Sequence, residues 1–230
     1  MFKKKNRNLF NYIFSLSALS LGIITIWLIS NKVTRLSCCS EPLFQSSFSY
    51  SETKGEYHQK QINIPSSVFN DNLSSKKLSS VLGSTSEEKW IEVDLSQQKL
   101  WAWEGDKLFL ETLVSTGLPW WPTPQGEFRI WAKTRATKME GGEGKYYYNL
   151  PNVPFVMFFE NDKIPGYRGF GLHGTYWHSD FGNVHSHGCV NLPTLIAEKL
   201  YYWTNPIIPE GRFFVKASDE NPGTRIIIHE

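Results

Sequence analysis

The spacing of apolar and polar positions changes character along the chain. Residues 9–30 are almost uninterruptedly apolar and carry no charge. About 20 such residues are long enough to cross a bilayer as one helix. Residues 31–88 are rich in Ser, Lys, Asn and Gln, with short apolar islets at Ile62, Ile64, Val68 and Phe69. Such a segment buries too little to offset its ordering entropy, so a flexible tether with locally docking islets is predicted. From Lys89 the pattern takes period two: Ile91, Val93 and Leu95 alternate with Glu92 and Asp94, as in a half-buried strand. Runs at 100–103 and 108–114 flank Glu104, Gly105 and Asp106, which reads as a hairpin. Further strands are predicted at 128–132, 153–159, 170–173 and 213–216. One helical repeat follows Pro193, through Leu195, Ile196, Lys199, Leu200 and Trp203; proline suits a first turn because its missing N–H has no intrahelical partner there. Arg225, Ile226, Ile227 and Ile228 predict an edge strand or a loose tail. The division is therefore a basic arm (1–8), a transmembrane anchor (9–30), a linker (31–88), a mostly β domain with few helices (89–217) and a tail (218–230).

Charge orients this layout. Lys3, Lys4, Lys5 and Arg7 precede the apolar run, and only Lys32 and Arg35 follow it closely. Basic residues favour the cytoplasmic side, which places the N-terminus inside and everything after Ser30 outside a plasma (inner) membrane. A cleaved signal has a shorter apolar region, roughly 7–15 residues, ending at small residues. No Ala-x-Ala site follows here, so an uncleaved single-pass anchor is expected. The net charge is +2, and without the four basic residues of the arm the balance is 20 basic against 22 acidic. Nothing in it indicates nucleic-acid binding. Of the three cysteines, Cys38 and Cys39 are adjacent and poorly placed to bridge each other. Cys189 reads as a free thiol.

The chemistry concentrates in two short stretches, His173, Gly174 and Thr175, then Ser186, His187, Gly188, Cys189, Val190, Asn191 and Leu192. A thiol after glycine and near two imidazoles has the parts for nucleophilic catalysis. Either His173 or His187 could be the base. Four of the six histidines lie between 173 and 187, so His173, His178, His185 and His187 with Cys189 must be weighed as a metal set. Zinc sites favour spacings such as Cys-x-x-Cys or His-x-x-x-His, and no metal is expected. Trp120, Trp121, Tyr176 and Trp177 either line a substrate groove or pack locally. The glycines from 140 to 144, with Lys145 and Tyr148, suggest a flexible lid.

These residues resemble the signature of the L,D-transpeptidase catalytic domain family (YkuD-like), cysteine enzymes that cross-link bacterial peptidoglycan. Thr123, Pro124, Gly126 and Phe128 resemble an upstream segment of the family. Trp90 to Leu100 resembles its opening strand, turn and second strand, and Ser115, Thr116 and Gly117 the segment between. The blocks run in family order from about Lys89 to Ala217. The resemblance implies a compact β-sandwich, with Cys189 as nucleophile and His173 as proton donor and acceptor, its ring oriented by the Gly174 carbonyl. It also implies an oxyanion hole from the N–H groups of His187, Gly188 and Cys189, supported by Ser186 and Asn191. Asn191 stands where many members carry Arg. The implied partner is a peptidoglycan tetrapeptide stem: Cys189 attacks the carbonyl of its third residue, expels D-Ala, and a second stem's amine resolves the thioester. Water as acceptor would make the protein an L,D-carboxypeptidase, and a protein lysine would make it attach proteins to the wall. No cofactor is implied. A catalytically inactive wall-binding anchor and a zinc-dependent amidase or endopeptidase are the readings from other classes.

Overall fold

The structure is a computed structural model and describes residues 49, 51–69 and 87–230. The basic arm, the anchor at 9–30, Cys38 and Cys39 and much of the linker lie outside these residues. Among the described residues no helix is long and apolar enough to cross a membrane.

The first strand of the domain follows the period-two pattern, and two apolar-rich strands pair after it. β3 (Lys89–Asp94), β4 (Lys99–Glu104) and β5 (Lys107–Leu113) form an antiparallel meander. The turn between β3 and β4 is held by the Asp94 carboxylate, which accepts from Ser96 Oγ at 2.7 Å and from the Gln97 backbone N–H at 2.8 Å. Next comes a long hairpin of β6 (Gly126–Gly141) and β7 (Tyr148–Glu160). Both strands exceed the predicted runs. β6 continues past Ala132 through Lys133 and Arg135, which are buried. The Lys133 ammonium donates to the carbonyls of Tyr201 and Thr204, the latter at 2.7 Å. It thus closes the C-terminal end of α1 (Thr194–Trp203), where a cation is favoured. Burial, with the charge of Lys89, pushes its pKa down to about 7. β7 holds Pro151 and Pro154, residues that ordinarily argue against a strand interior, and its pairing with β6 shifts register twice.

β8 (Gly171–Thr175) pairs antiparallel with β7 and parallel with β9 (Val190–Pro193). Helix α1 buries Ala197, Leu200, Tyr201 and Trp203, whereas Leu195, expected on its core face, is 66% exposed. β10 (Phe214–Lys216) adds to β6.

Two expectations are corrected. Residues 218–230 are no tail: β11 (Arg225–His229) lies between β6 and β3, antiparallel to one and parallel to the other. Ile226 and Ile228 are completely or nearly buried, and each such side chain contributes about 1.5–3 kcal/mol. The linker also enters the fold. β1 (Lys54–Tyr57) and β2 (Lys60–Asn63) form a hairpin that pairs with β7. Asn152 anchors the preceding segment, accepting from the Ser49 N–H at 2.9 Å and donating to its carbonyl at 2.8 Å. The described strands form one 11-stranded hydrogen-bonded network in the order β2-β1-β7-β6-β11-β3-β4-β5, with β8, β9 and β10 branching from it. The larger apolar cluster joins Ile91, Leu100, Phe128, Leu172, Leu200 and Ile226. A second cluster includes Met139, Tyr148, Phe158 and Cys189.

Candidate active site

The parallel pair β8 and β9 brings the two sequence stretches together. His173 pairs in register with Asn191, and Leu172 with Val190, so Cys189 ends its loop beside the strand that carries His173. Both are 2% exposed, and both line one cleft. Cys189 Sγ lies 3.7 Å from the Gly169 carbonyl. His173 Nδ1 lies 3.2 Å from the Gly174 carbonyl. A carbonyl can only accept, so this contact assigns the proton to Nδ1 and leaves Nε2 as the basic nitrogen.

The turn before Cys189 is built by Ser186. Its hydroxyl accepts from the Gly188 N–H at 3.0 Å and donates to the Cys189 carbonyl at 2.5 Å. The Gly188 N–H, expected in the oxyanion hole, is therefore directed at Ser186. Gly188 itself has φ 113°, and a Cβ there would come within 2.5 Å of the Phe170 ring; glycine is required on both counts. Ser115, Thr116 and Gly117 brace this turn from behind. The Thr116 carbonyl accepts from the N–H groups of His185 and Ser186, and Ser115 exchanges two backbone bonds with Asn191. Gln98 fixes Thr116 in turn, accepting from its N–H at 2.9 Å and donating to its hydroxyl at 2.6 Å.

The other predicted residues take distinct places. Asn191 is buried and donates through Nδ2 to His178 Nε2 at 2.9 Å. Burial, reinforced by nearby His185, lowers the His178 pKa to about 4, which keeps its ring neutral and able to accept. The His187 ring packs between Trp121, with centroids 4.2 Å apart, and Tyr148, at 4.8 Å. Trp177 lines the cleft, 5.7 Å from the His173 ring. Tyr176 instead packs away from it, its hydroxyl donating to the Pro151 carbonyl. Trp120 and Trp121 meet the Tyr146 ring at 5.4 and 5.5 Å. The predicted lid forms the tip of the β6–β7 hairpin, with Tyr147 donating to Glu140 at 2.7 Å, and its Tyr146 packs against the tryptophans beside His187. Among the described residues, no group of three or more His, Cys, Asp or Glu is arranged to hold a metal ion.

Tyr57, Met139 and Leu150 also line the cleft and were missed, as were the places of Tyr148 and His185 there, since these two were weighed only with a lid and a metal set. Tyr57 arrives through its pairing with Tyr148, a long-range contact with no local signal. His185 is held by Asp180 at 2.6 Å, a pair five residues apart that the sequence could have suggested.

The family model YkuD, the L,D-transpeptidase catalytic domain, matches residues 88–228. It thus runs through β11, beyond the boundary expected near Ala217. No curated protein matches the chain significantly. Among solved structures, the chain is similar to a mutant of Enterococcus faecium L,D-transpeptidase at 26% identity and TM-score 0.46, covering 62% of this chain and 50% of that one. It is similar to an L,D-transpeptidase from Mycobacterium smegmatis at 21% identity and TM-score 0.50, covering 63% and 59%. The catalytic domain of the E. faecium enzyme, solved by NMR, is 27% identical with TM-score 0.44, covering 62% and 97%. The chain spans about half the length of the first of these proteins.

Proposed function

Because the chain belongs to the L,D-transpeptidase catalytic domain family, we propose that it is a membrane-anchored peptidoglycan L,D-transpeptidase acting through a thioester on Cys189. The observation that carries this reading is the shared cleft of Cys189 and His173 on adjoining strands, with the imidazole proton turned to the Gly174 carbonyl. His173 Nε2 takes the thiol proton, and the thiolate attacks the carbonyl of the third stem residue. The N–H groups of His187 and Cys189 are the assigned donors to the developing oxyanion, with Ser186 fixing the turn that presents them. His173 returns its proton to the departing D-Ala amine. The side-chain amine of a second stem then attacks the thioester, the C–S bond breaks and the thiol is regenerated. Water or a protein lysine can replace that amine, giving trimming or protein attachment from the same acyl-enzyme. The apolar run at 9–30 behind a basic arm supports an anchor that leaves the catalytic domain outside the membrane.

The cleft holds only about 30 Å³ of free space, room for one or two waters.

The test is intact-protein mass spectrometry of the full chain in detergent with a tetrapeptide muropeptide. The expected result is an acyl adduct with release of D-Ala, absent in Cys189→Ala and unaffected by chelator. His173→Gln should slow acylation about 10²–10⁴-fold, as expected for a lost general base. No adduct and no D-Ala from folded protein with a free thiol would overturn the proposal in favour of a wall-binding anchor. Activity lost on chelation would overturn it in favour of a metal hydrolase.

A further inference from the structure

A second cavity lies at the end of α1, built from residues the proposed chemistry does not use. It encloses about 240 Å³, far more than the catalytic cleft. Arg135 of β6, Tyr201 and Tyr202 of α1, and Arg212 and Phe213 ahead of β10 line it. Arg135 is 8% exposed and Tyr201 2%. The Arg135 guanidinium lies over the Phe155 ring at 4.1 Å, and its Nη2 donates to the Val68 carbonyl at 3.5 Å. Its Nη1 is buried with no hydrogen-bond partner among the described residues, and the same holds for the Tyr201 hydroxyl. Burial raises the Tyr201 pKa, so the phenol stays protonated and able to donate.

Buried donors are rarely left unmet, and a charged one least of all. Glu198 of α1 senses the Arg135 charge, but burial raises its own pKa, and the two form no ion pair among the described contacts. Phe155 has φ 57°, a conformation that bulky residues adopt only under constraint and that tends to accompany function. Its ring packs against both Arg135 and Tyr201. The cavity wall therefore adjoins two unmet donors and a buried positive charge, and it carries aromatic sides and a second guanidinium from exposed Arg212.

We propose that this cavity binds an organic oxyanion, a carboxylate or phosphate ester carried on a compact ring. Arg135 and Tyr201 hold the oxygens, and Tyr202 and Phe213 face the ring. A guanidinium fork matches either oxyanion, and a few converging polar groups among aromatic side chains are the usual make-up of a ligand pocket. The cavity shares no lining residue with the cleft of Cys189, so its occupancy is separable from acyl transfer.

The experiment is a ligand-observed NMR titration of the full chain in detergent with glucuronate, glucose 6-phosphate and glucose. At least one anion should bind, with the uncharged sugar about tenfold weaker or more. Arg135→Met should weaken the anion by about tenfold or more, and Tyr201→Phe, which removes only a hydroxyl, by about three- to tenfold. Preference for glucuronate would point to a carboxylated ligand, and preference for the phosphate to a phosphorylated polymer or headgroup. The proposal is overturned if neither anion binds, if glucose binds as well, or if binding survives both substitutions. Binding lost in Cys189→Ala would place the ligand in the catalytic cleft and overturn it too. Should Arg135→Met fail to fold, Tyr201→Phe decides alone.

Discussion

Ser186 shows how much of the site rests on one small side chain. Its hydroxyl ties the Gly188 N–H to the Cys189 carbonyl. Ser186→Ala leaves both groups without that partner in a buried turn, and the expected loss is about 1–3 kcal/mol of stability, read as a lower denaturant midpoint. Acylation should fall with it, because the nucleophile's backbone is no longer fixed. His178 gives a second test at this scale. Its folded pKa of about 4 lies below the ordinary histidine value of about 6.5. As pH falls, the unfolded chain takes up the proton first. The stability that neutral His178 provides is therefore complete above about pH 6.5 and fades as the pH drops toward 4. Denaturant titrations of His178→Gln across that window should show a shallower pH dependence than the parent protein; an unchanged slope would contradict the neutral, Asn191-bonded ring. The two stretches that meet at the cleft of Cys189 and His173 were legible in the sequence because each is short and carries its signal locally. The Asn191–His178 bond was not, since it depends on a loop returning to the strand.

At the scale of elements, legibility followed local periodicity. β3 alternates cleanly, and β3, β4 and β5 match the predicted strands closely. β6 and β7 were underestimated because Lys133, Arg135, Pro151 and Pro154 break the apolar pattern; two carbonyls accept from Lys133, the Arg135 guanidinium lies over the Phe155 ring, and the prolines lie in or beside a register shift. The β1–β2 hairpin was hidden in a polar segment whose partner strand lies far along the chain. Tyr57 thereby forms a wall of the cleft that holds Cys189 and His173, from a part of the chain ahead of the family match. Tyr57→Ala should lower kcat/KM for the stem peptide several-fold, about 1 kcal/mol of transition-state binding, while the thermal midpoint moves little. An unaltered kcat/KM would show that the hairpin merely covers the β7 edge.

For the whole molecule, the sheet is closed by its most remote pairing. Ile228→Ala removes a nearly fully buried side chain where β11 joins β3 and β6. It should cost about 2–5 kcal/mol, measured by chemical denaturation. The proposed membrane anchor is tested at this scale as well. Removal of residues 9–30 is expected to move the protein from the membrane fraction to the soluble fraction, and retention in the membrane would refute the anchor. Neither feature conflicts with the short-range signals of the sequence: a terminal Ile triplet suits a strand wherever it pairs, and only topology decides whether the strand is an edge or the centre.

The central position of β11 also imposes an order of events on synthesis. Until residues 225–229 are available, β3 and β6 each present an open edge, and the β3 meander has no direct strand partner in the rest of the sheet. Pairing across more than half the chain is slow to find, and exposed edges invite association with other chains. The domain therefore completes its fold only after residues 225–229 have been made, so a nascent chain halted before Arg225 should be digested by protease at concentrations that leave the protein with β11 intact.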